Sequence, residues 1–291
     1  MPYLFHSIIL LLVVLCTACA GNVNSQSVPT PAPTADLPTN EAGAPVVAHV
    51  NGQAITLAET QRMVARYGQQ TGMDAAMLQD MALQTLIEQA LIEQAAVEQG
   101  VTVADSELDA QVEASAELAG GAEAWQNWLR DNLYTEAEFR DSLRDSLITS
   151  RMRDLLTSQL DGIMPQVRAR HILVQTEAEA RDILTRLQNG EDFAALAGQH
   201  SLDVTTRENG GDLGWFVRDE LLEPALADQT FALQPGEVVG PVQTSLGFHI
   251  VQLLEKADRP LAEDKRALVA QMRFEHWLSD LVSDATIERY L

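Results

Sequence analysis

Between residues 57 and 159 the apolar positions recur three and four apart in five consecutive blocks, the spacing of helices with one buried face. The pattern predicts helices over residues 57–68, 74–99, 104–119, 122–132 and 135–159. In the second block Leu83, Leu86, Ile87, Ala90 and Leu91 share a face, and Gly100 ends it. The start signals are local. Thr56 with Glu59 and Thr135 with Glu138 have capping-box spacing, and Asp105 stands where an N-cap belongs. Upstream, residues 46–56 form two short apolar runs around Asn51-Gly52, which predicts a strand pair joined by a turn. Residues 261–283 repeat the amphipathic pattern near the C-terminus. Residues 285–291 then read as a short strand-like tail, and a C-terminal segment too small to fold alone must pack on something.

Residues 4–15 are almost entirely apolar. A dozen residues are too few for a membrane-spanning helix, which needs ~20, but suit the h-region of a signal peptide. Leu15-Cys16-Thr17-Ala18-Cys19-Ala20-Gly21 follows and resembles a bacterial lipoprotein cleavage box, which implies cleavage before Cys19 and lipidation of its sulfur. Cys16 is the poorer candidate, because bulky Leu15 would precede the cut. An ordinary secretory signal is the other reading, and either one exports the chain. Cys16 and Cys19 are the only cysteines, so the exported form is expected to have no internal disulfide and no thiol chemistry. Residues 22–45 are rich in Ser, Thr, Pro and Ala and read as a disordered tether. Two dozen residues at ~3.1 Å each span up to ~70 Å.

With 19 Lys and Arg against 42 Asp and Glu, the formal charge is −23, which argues against nucleic acid and against electrostatic docking on an anionic bilayer. The 291 residues suffice for two domains.

Different punctuation marks the remaining third. Gly210-Gly211-Asp212-Leu213-Gly214-Trp215-Phe216 holds three glycines in five positions, too many for helix or ordinary strand stability. Arg170-His171-Ile172-Leu173-Val174 lies upstream and Gly247-Phe248-His249-Ile250-Val251 downstream. Between them stand Gly190-Glu191-Asp192-Phe193-Ala194, Phe231-Ala232-Leu233-Gln234-Pro235-Gly236-Glu237 and Gly240-Pro241-Val242. These six motifs, in register over about residues 167–256, resemble the parvulin family of peptidyl-prolyl cis/trans isomerases. The strand pair and helices before them resemble, more loosely, the amino-terminal chaperone domain of PrsA- and SurA-type foldases. Val50-Asn51-Gly52 with Ile55-Thr56 is the most specific part of that match.

The resemblance implies an α+β chain. A parvulin (FKBP-like) domain with a small antiparallel sheet and surrounding helices would cover residues 165–257, and a mainly helical chaperone domain residues 46–164. The signal peptide would take residues 1–18, the tether 19–45, and the returning C-terminal helix and strand 258–291. It implies that His171 and His249 lie side by side at the site, with Thr244 beside the second. Asp203 would stand near the reacting amide, with Val204 as the competing alignment. A carboxylate in an apolar cleft would have a raised pKa. The other role open to Asp203 is an Asx turn capping its loop. Leu213, Leu222, Leu226 and Phe231 would line the proline pocket, with Leu221 as the alternative to Leu222. Leucines at family positions usually held by Met and Phe would cost the pocket an aromatic wall.

Rotation about the prolyl bond needs no nucleophile, so no cofactor and no metal is implied. The acidic stretch Gln175-Thr176-Glu177-Ala178-Glu179 argues against a phosphoserine-proline substrate. The implied partners are unfolded or newly exported chains with X-Pro bonds, and the membrane only through lipid on Cys19. A non-catalytic holdase, or a scaffold lipoprotein with a parvulin-like fold, is the alternative.

Overall fold

The computed structural model describes residues 37–291 except Gln70, Thr71, Gly72, Gln159, Asp161 and Leu222. The expected signal segment, Cys19 and most of the expected tether lie outside these residues, and so does Leu222. The chain divides into two units. One comprises the described residues up to Met152 together with Asp280–Leu291; the other is Arg153–Ser279.

In the first unit β1 (Val46–Val50) and β2 (Gln53–Thr56) form an antiparallel pair. Asn51 and Gly52 both adopt positive φ (51° and 86°), the conformation that an Asn-Gly hairpin turn requires. The tail supplies β7 (Ile287–Arg289), which pairs with the other edge of β1 and gives the order β2-β1-β7. Five helices follow β2: α1 (Leu57–Gly68), α2 (Ala75–Glu98), α3 (Asp105–Leu118), α4 (Ala122–Asp131) and α5 (Glu136–Thr157). Leu83, Ile87 and Leu91 of α2 bury against Val47, Val50 and Ile55, and Ile287 packs on the same cluster. Each such aliphatic side chain contributes about 1.5–3 kcal/mol on leaving water.

Thr56 and Glu59 make the reciprocal bonds of a capping box, and so do Thr135 and Glu138. Asp105 does not cap. Ala104 holds the N-cap position of α3 with no side-chain bond, and the Asp105 carboxylate instead takes a bond of 3.2 Å from Arg140. A cation within reach outcompetes the neutral backbone donors of the first turn.

The second unit is built on four antiparallel strands in the order β4-β3-β6-β5: β3 (Ile163–Val174), β4 (Asp212–Phe216), β5 (Val238–Thr244) and β6 (Gly247–Pro260). Successive strand residues point to opposite faces. Ile172, Val174 and Ile250 therefore face α6 (Glu177–Gln188) and α7 (Phe193–His200), packing on Ile183, Phe193 and Leu196. Val167, Ala169, Val251 and Leu253 face the other way, toward Phe216 and Leu226 of α8 (Pro224–Ala232). A last helix, α9 (Glu263–Asp284), begins in this unit two residues later than the pattern predicts. The reason is Leu261, which leaves the helix pattern to bury with Leu160, Val217 and Val269. Among the described residues no helix is long and apolar enough to cross a membrane.

Candidate active site

The strand period puts two histidines on the apolar face of the second sheet. His171 shares its side of β3 with Val167 and Ala169, and His249 shares its side of β6 with Val251 and Leu253. In register His171 lies opposite Val251, and Leu173 opposite His249. The histidines are thus diagonal cross-strand neighbours, close enough for ring contact. Their rings stack with centroids 5.5 Å apart and Nδ1 atoms 3.3 Å apart, both largely buried at 8% and 4% exposure.

Each ring has a second partner. His171 Nε2 lies 2.7 Å from Asp203 Oδ2, and His249 Nε2 lies 2.9 Å from Thr244 Oγ1 on neighbouring β5. The order Asp203–His171–His249–Thr244 constrains the protons. An ionised carboxylate only accepts, so His171 presents Nε2–H to Asp203. With both rings neutral, His171 Nδ1 accepts from His249 Nδ1–H, and His249 Nε2 accepts from the Thr244 hydroxyl. The same hydroxyl oxygen accepts from the Leu246 amide at 3.1 Å. This tautomer assignment follows from the network itself. Burial first, then the neighbouring His171, push His249 down to about 4, so it stays neutral at neutral pH.

Asp203 departs from expectation. Burial pushes its carboxyl up, but hydrogen bonds from Thr205, Thr206 and His171 outweigh burial and hold it well below the usual carboxylate range. The expected raised pKa is therefore corrected. Oδ1 accepts from the Thr205 amide at 3.0 Å and its hydroxyl at 2.6 Å, while Oδ2 accepts from Thr206 at 2.5 Å. The Asx-turn role and the contact with His171 coexist, one on each oxygen. Val204, the competing alignment, is 65% exposed.

The loop is pinned by a residue that sequence reasoning passed over. The buried Ser201 hydroxyl accepts the Leu173 amide at 3.2 Å, and the Leu202 amide donates to the Leu173 carbonyl at 2.7 Å. A Ser just after a helix is an unremarkable turn residue in sequence, and only the β3 edge gives it this role. Gly211 explains part of the glycine run. At φ 81° its carbonyl takes the His171 amide at 2.9 Å, and a Cβ there would fall 2.1 Å from the His171 carbonyl oxygen.

Beside the histidines opens an apolar cleft of about 200 Å³. Leu213 and Leu226 line it with His171, His249 and Thr244. Leu221 lines it too, whereas Leu222 lies outside the described residues. Phe231 is corrected: it is not a lining residue but packs behind, edge-on to Phe216 with centroids 6.0 Å apart. Phe216 itself lines the cleft, so the expected loss of an aromatic wall is corrected as well. Phe216 ends the glycine run, and its apolar identity was the available signal. Thr230 also lines the cleft, its hydroxyl buried without a partner among the described residues.

A small apolar cleft beside a buried, fully hydrogen-bonded histidine pair suits a reaction that makes and breaks no bond. A family model described as a PPIC-type PPIase domain matches residues 164–255, and one described as a SurA-like N-terminal domain matches residues 3–153. The foldase protein PrsA of Caldanaerobacter subterraneus subsp. tengcongensis is 30% identical over 262 residues, covering 84% of this chain and 83% of that one. The chain belongs to the PrsA foldase family. Another relative, a parvulin-like PPIase of Rickettsia bellii, is 32% identical over 187 residues, covering 62% of this chain and 65% of its own. The solved peptidylprolyl isomerase (PrsA) of Bacillus anthracis aligns at 26% identity over 69% of this chain and 94% of that one, with TM-score 0.44. This PrsA-family chain is a parvulin-type peptidyl-prolyl isomerase joined to a SurA-like helical domain.

Proposed function

We propose that this foldase acts on X-Pro bonds of unfolded exported chains, holding the proline ring in the cleft lined by Leu213, Phe216, Leu221 and Leu226. The observation that carries this reading is the Asp203–His171–His249–Thr244 network bordering that cleft. The barrier to rotation is ~18–20 kcal/mol and comes from amide resonance, which delocalises the nitrogen lone pair into the carbonyl π system and puts negative charge on the carbonyl oxygen. An apolar cleft strips water from that oxygen and weakens the resonance form. Anionic Asp203, held ionised by hydrogen bonds from Thr205, Thr206 and His171, disfavours further negative charge nearby. The planar ground state thus loses more than the twisted transition state. His249, neutral and fixed at both nitrogens, shapes this field without exchanging protons.

The helical first unit serves as the chaperone part, and the cell envelope is the place of action. Cys19 carries the lipid that anchors the chain, and residues 22–45 tether it. This part rests on the apolar run and the cysteine box of the sequence.

Isomerisation of an Ala-Pro peptide, followed with the whole chain, tests the site. Acceleration that is lost in a His171→Ala, Asp203→Ala double variant is expected; an unchanged rate in that variant overturns it. For the anchor, labelled lipid should enter the wild type and Cys16→Ala but not Cys19→Ala. Labelling that survives loss of Cys19 overturns the anchor.

A further inference from the structure

We propose that the isomerase cleft selects prolines flanked by a basic residue, with the Glu223 carboxylate as the specificity-determining group. This rests on the reading of the cleft as the proline site and adds a substrate preference to it.

The argument is a balance of charges. Besides the two histidines, the ionisable residues lining the cleft are Glu220 and Glu223, and among the described residues no Lys or Arg lines it. Glu220 is compensated: Oε1 meets Lys265 Nζ at 2.7 Å, and Oε2 accepts the Val217 amide at 2.9 Å. Asp203, behind His171, is satisfied by three side-chain donors. Glu223 differs. Its Oε1 accepts the Ser245 hydroxyl at 2.6 Å and the Ser245 amide at 3.1 Å, while Oε2 makes no hydrogen bond among the described residues. The Ser245 donors are neutral, and His249 beyond them is uncharged at neutral pH. One negative charge with no Lys or Arg paired to it among the described residues therefore borders a largely apolar cleft.

That charge is also fixed in place. Ser245 follows Thr244 directly in the turn between β5 and β6, so Glu223 is tied to the strand end that carries the histidine's partner. A charge already ordered needs no further ordering to meet a cation. A Lys or Arg beside the bound proline supplies the missing countercharge, whereas a carboxylate or phosphate there meets repulsion at the edge of low-dielectric walls.

The test is the isomerisation rate of the full chain on two peptide series, Ala-Ala-Xaa-Pro-Phe and Ala-Ala-Pro-Xaa, with Xaa Lys, Leu or Glu at low salt. In at least one series kcat/KM is expected to be about five- to tenfold higher for Lys than for Glu, with Leu between. The ratio should shrink to about twofold at 0.5 M salt. Glu223→Gln should bring Lys and Glu within about twofold of each other, and Glu223→Asp should keep the order. Equal rates for Lys and Glu in the wild type overturn the inference, as does a ratio that survives Glu223→Gln. Failure to accelerate any of the peptides overturns the reading of the cleft, and the inference with it.

Discussion

The two sheets of this molecule treat a histidine in opposite ways. In the three-stranded sheet His49 lies on β1 among buried Val47, Ala48 and Val50, yet its ring stays on the accessible side, 3.0 Å from the Tyr290 hydroxyl. In the four-stranded sheet His171 and His249 point inward with the core residues. Burying a polar ring costs free energy unless its atoms find partners. The second sheet offsets that cost with four groups in series, each nitrogen of both rings engaged. The first sheet leaves its histidine on the accessible side. Inward polar residues on an apolar strand face are where stability has been traded for chemistry.

The largest effect should come from glycine. Gly211→Ala drives a Cβ into the His171 carbonyl and should cost more than ~3 kcal/mol in the second unit, with loss of isomerase activity. Gly52→Ala in the first sheet has a similar φ but open space around the Cβ, so thermal melting should register only ~1 kcal/mol. If the two cost the same, the close approach of Gly211 to His171 carries no energy.

Next come the side chains. The His171→Ala, Asp203→Ala pair should lower kcat/KM at least about tenfold, or ~1.4 kcal/mol in the barrier, while suppression of client aggregation persists. His49→Ala should change neither measurement.

The pH response should separate the sheets further. Folding holds His249 at about 4 against an ordinary value of 6.5, so the unfolded chain binds the proton more readily. That contribution to stability is complete above pH ~6.5 and is lost as pH falls toward about 4. Asp203, also depressed, adds a loss below its ordinary 3.8. Denaturant titrations from pH 7 to 4.5 should show a decline on the order of 2 kcal/mol, reduced in His249→Phe. An identical slope in that variant would assign the decline to other groups.

The smallest contrast lies between two buried threonines. Thr60 in the first unit bonds the Thr56 carbonyl at 3.2 Å, whereas the Thr230 hydroxyl has no partner among the described residues. Thr60→Val should destabilise by ~1 kcal/mol, and Thr230→Val should be neutral or stabilising by up to ~1 kcal/mol. Reversal of that order in matched melts would show that Thr230 is satisfied in solution.

What was legible in the sequence was local. The helix limits of the first unit followed from periodicity and caps, because capping boxes and turn glycines act within four residues of themselves. Asp105 failed for a complementary reason: its partner Arg140 is 35 residues away and left no mark at the cap. The cleft behaved likewise. Leu213 and Leu226 were named from their motif, but Phe231 and Phe216 exchanged places. Which of two aromatics in contact faces the cleft depends on how α8 packs on β4, not on either residue's neighbours in sequence.

The sequence by itself determined which elements form and which residue types stand ready: two histidines at strand-facing positions, one carboxylate in a loop, glycines where no side chain fits. Tertiary structure decided how these groups behave. Pairing β3 with β6 in one register made the histidines diagonal neighbours, and Ser201 at the β3 edge brought Asp203 to them. The threonines in its own loop then reversed the carboxyl shift expected from burial. Protonation is set by three-dimensional neighbours within a few ångströms, whether they come from the same loop, as Thr205 and Thr206 do, or from another strand, as His171 does.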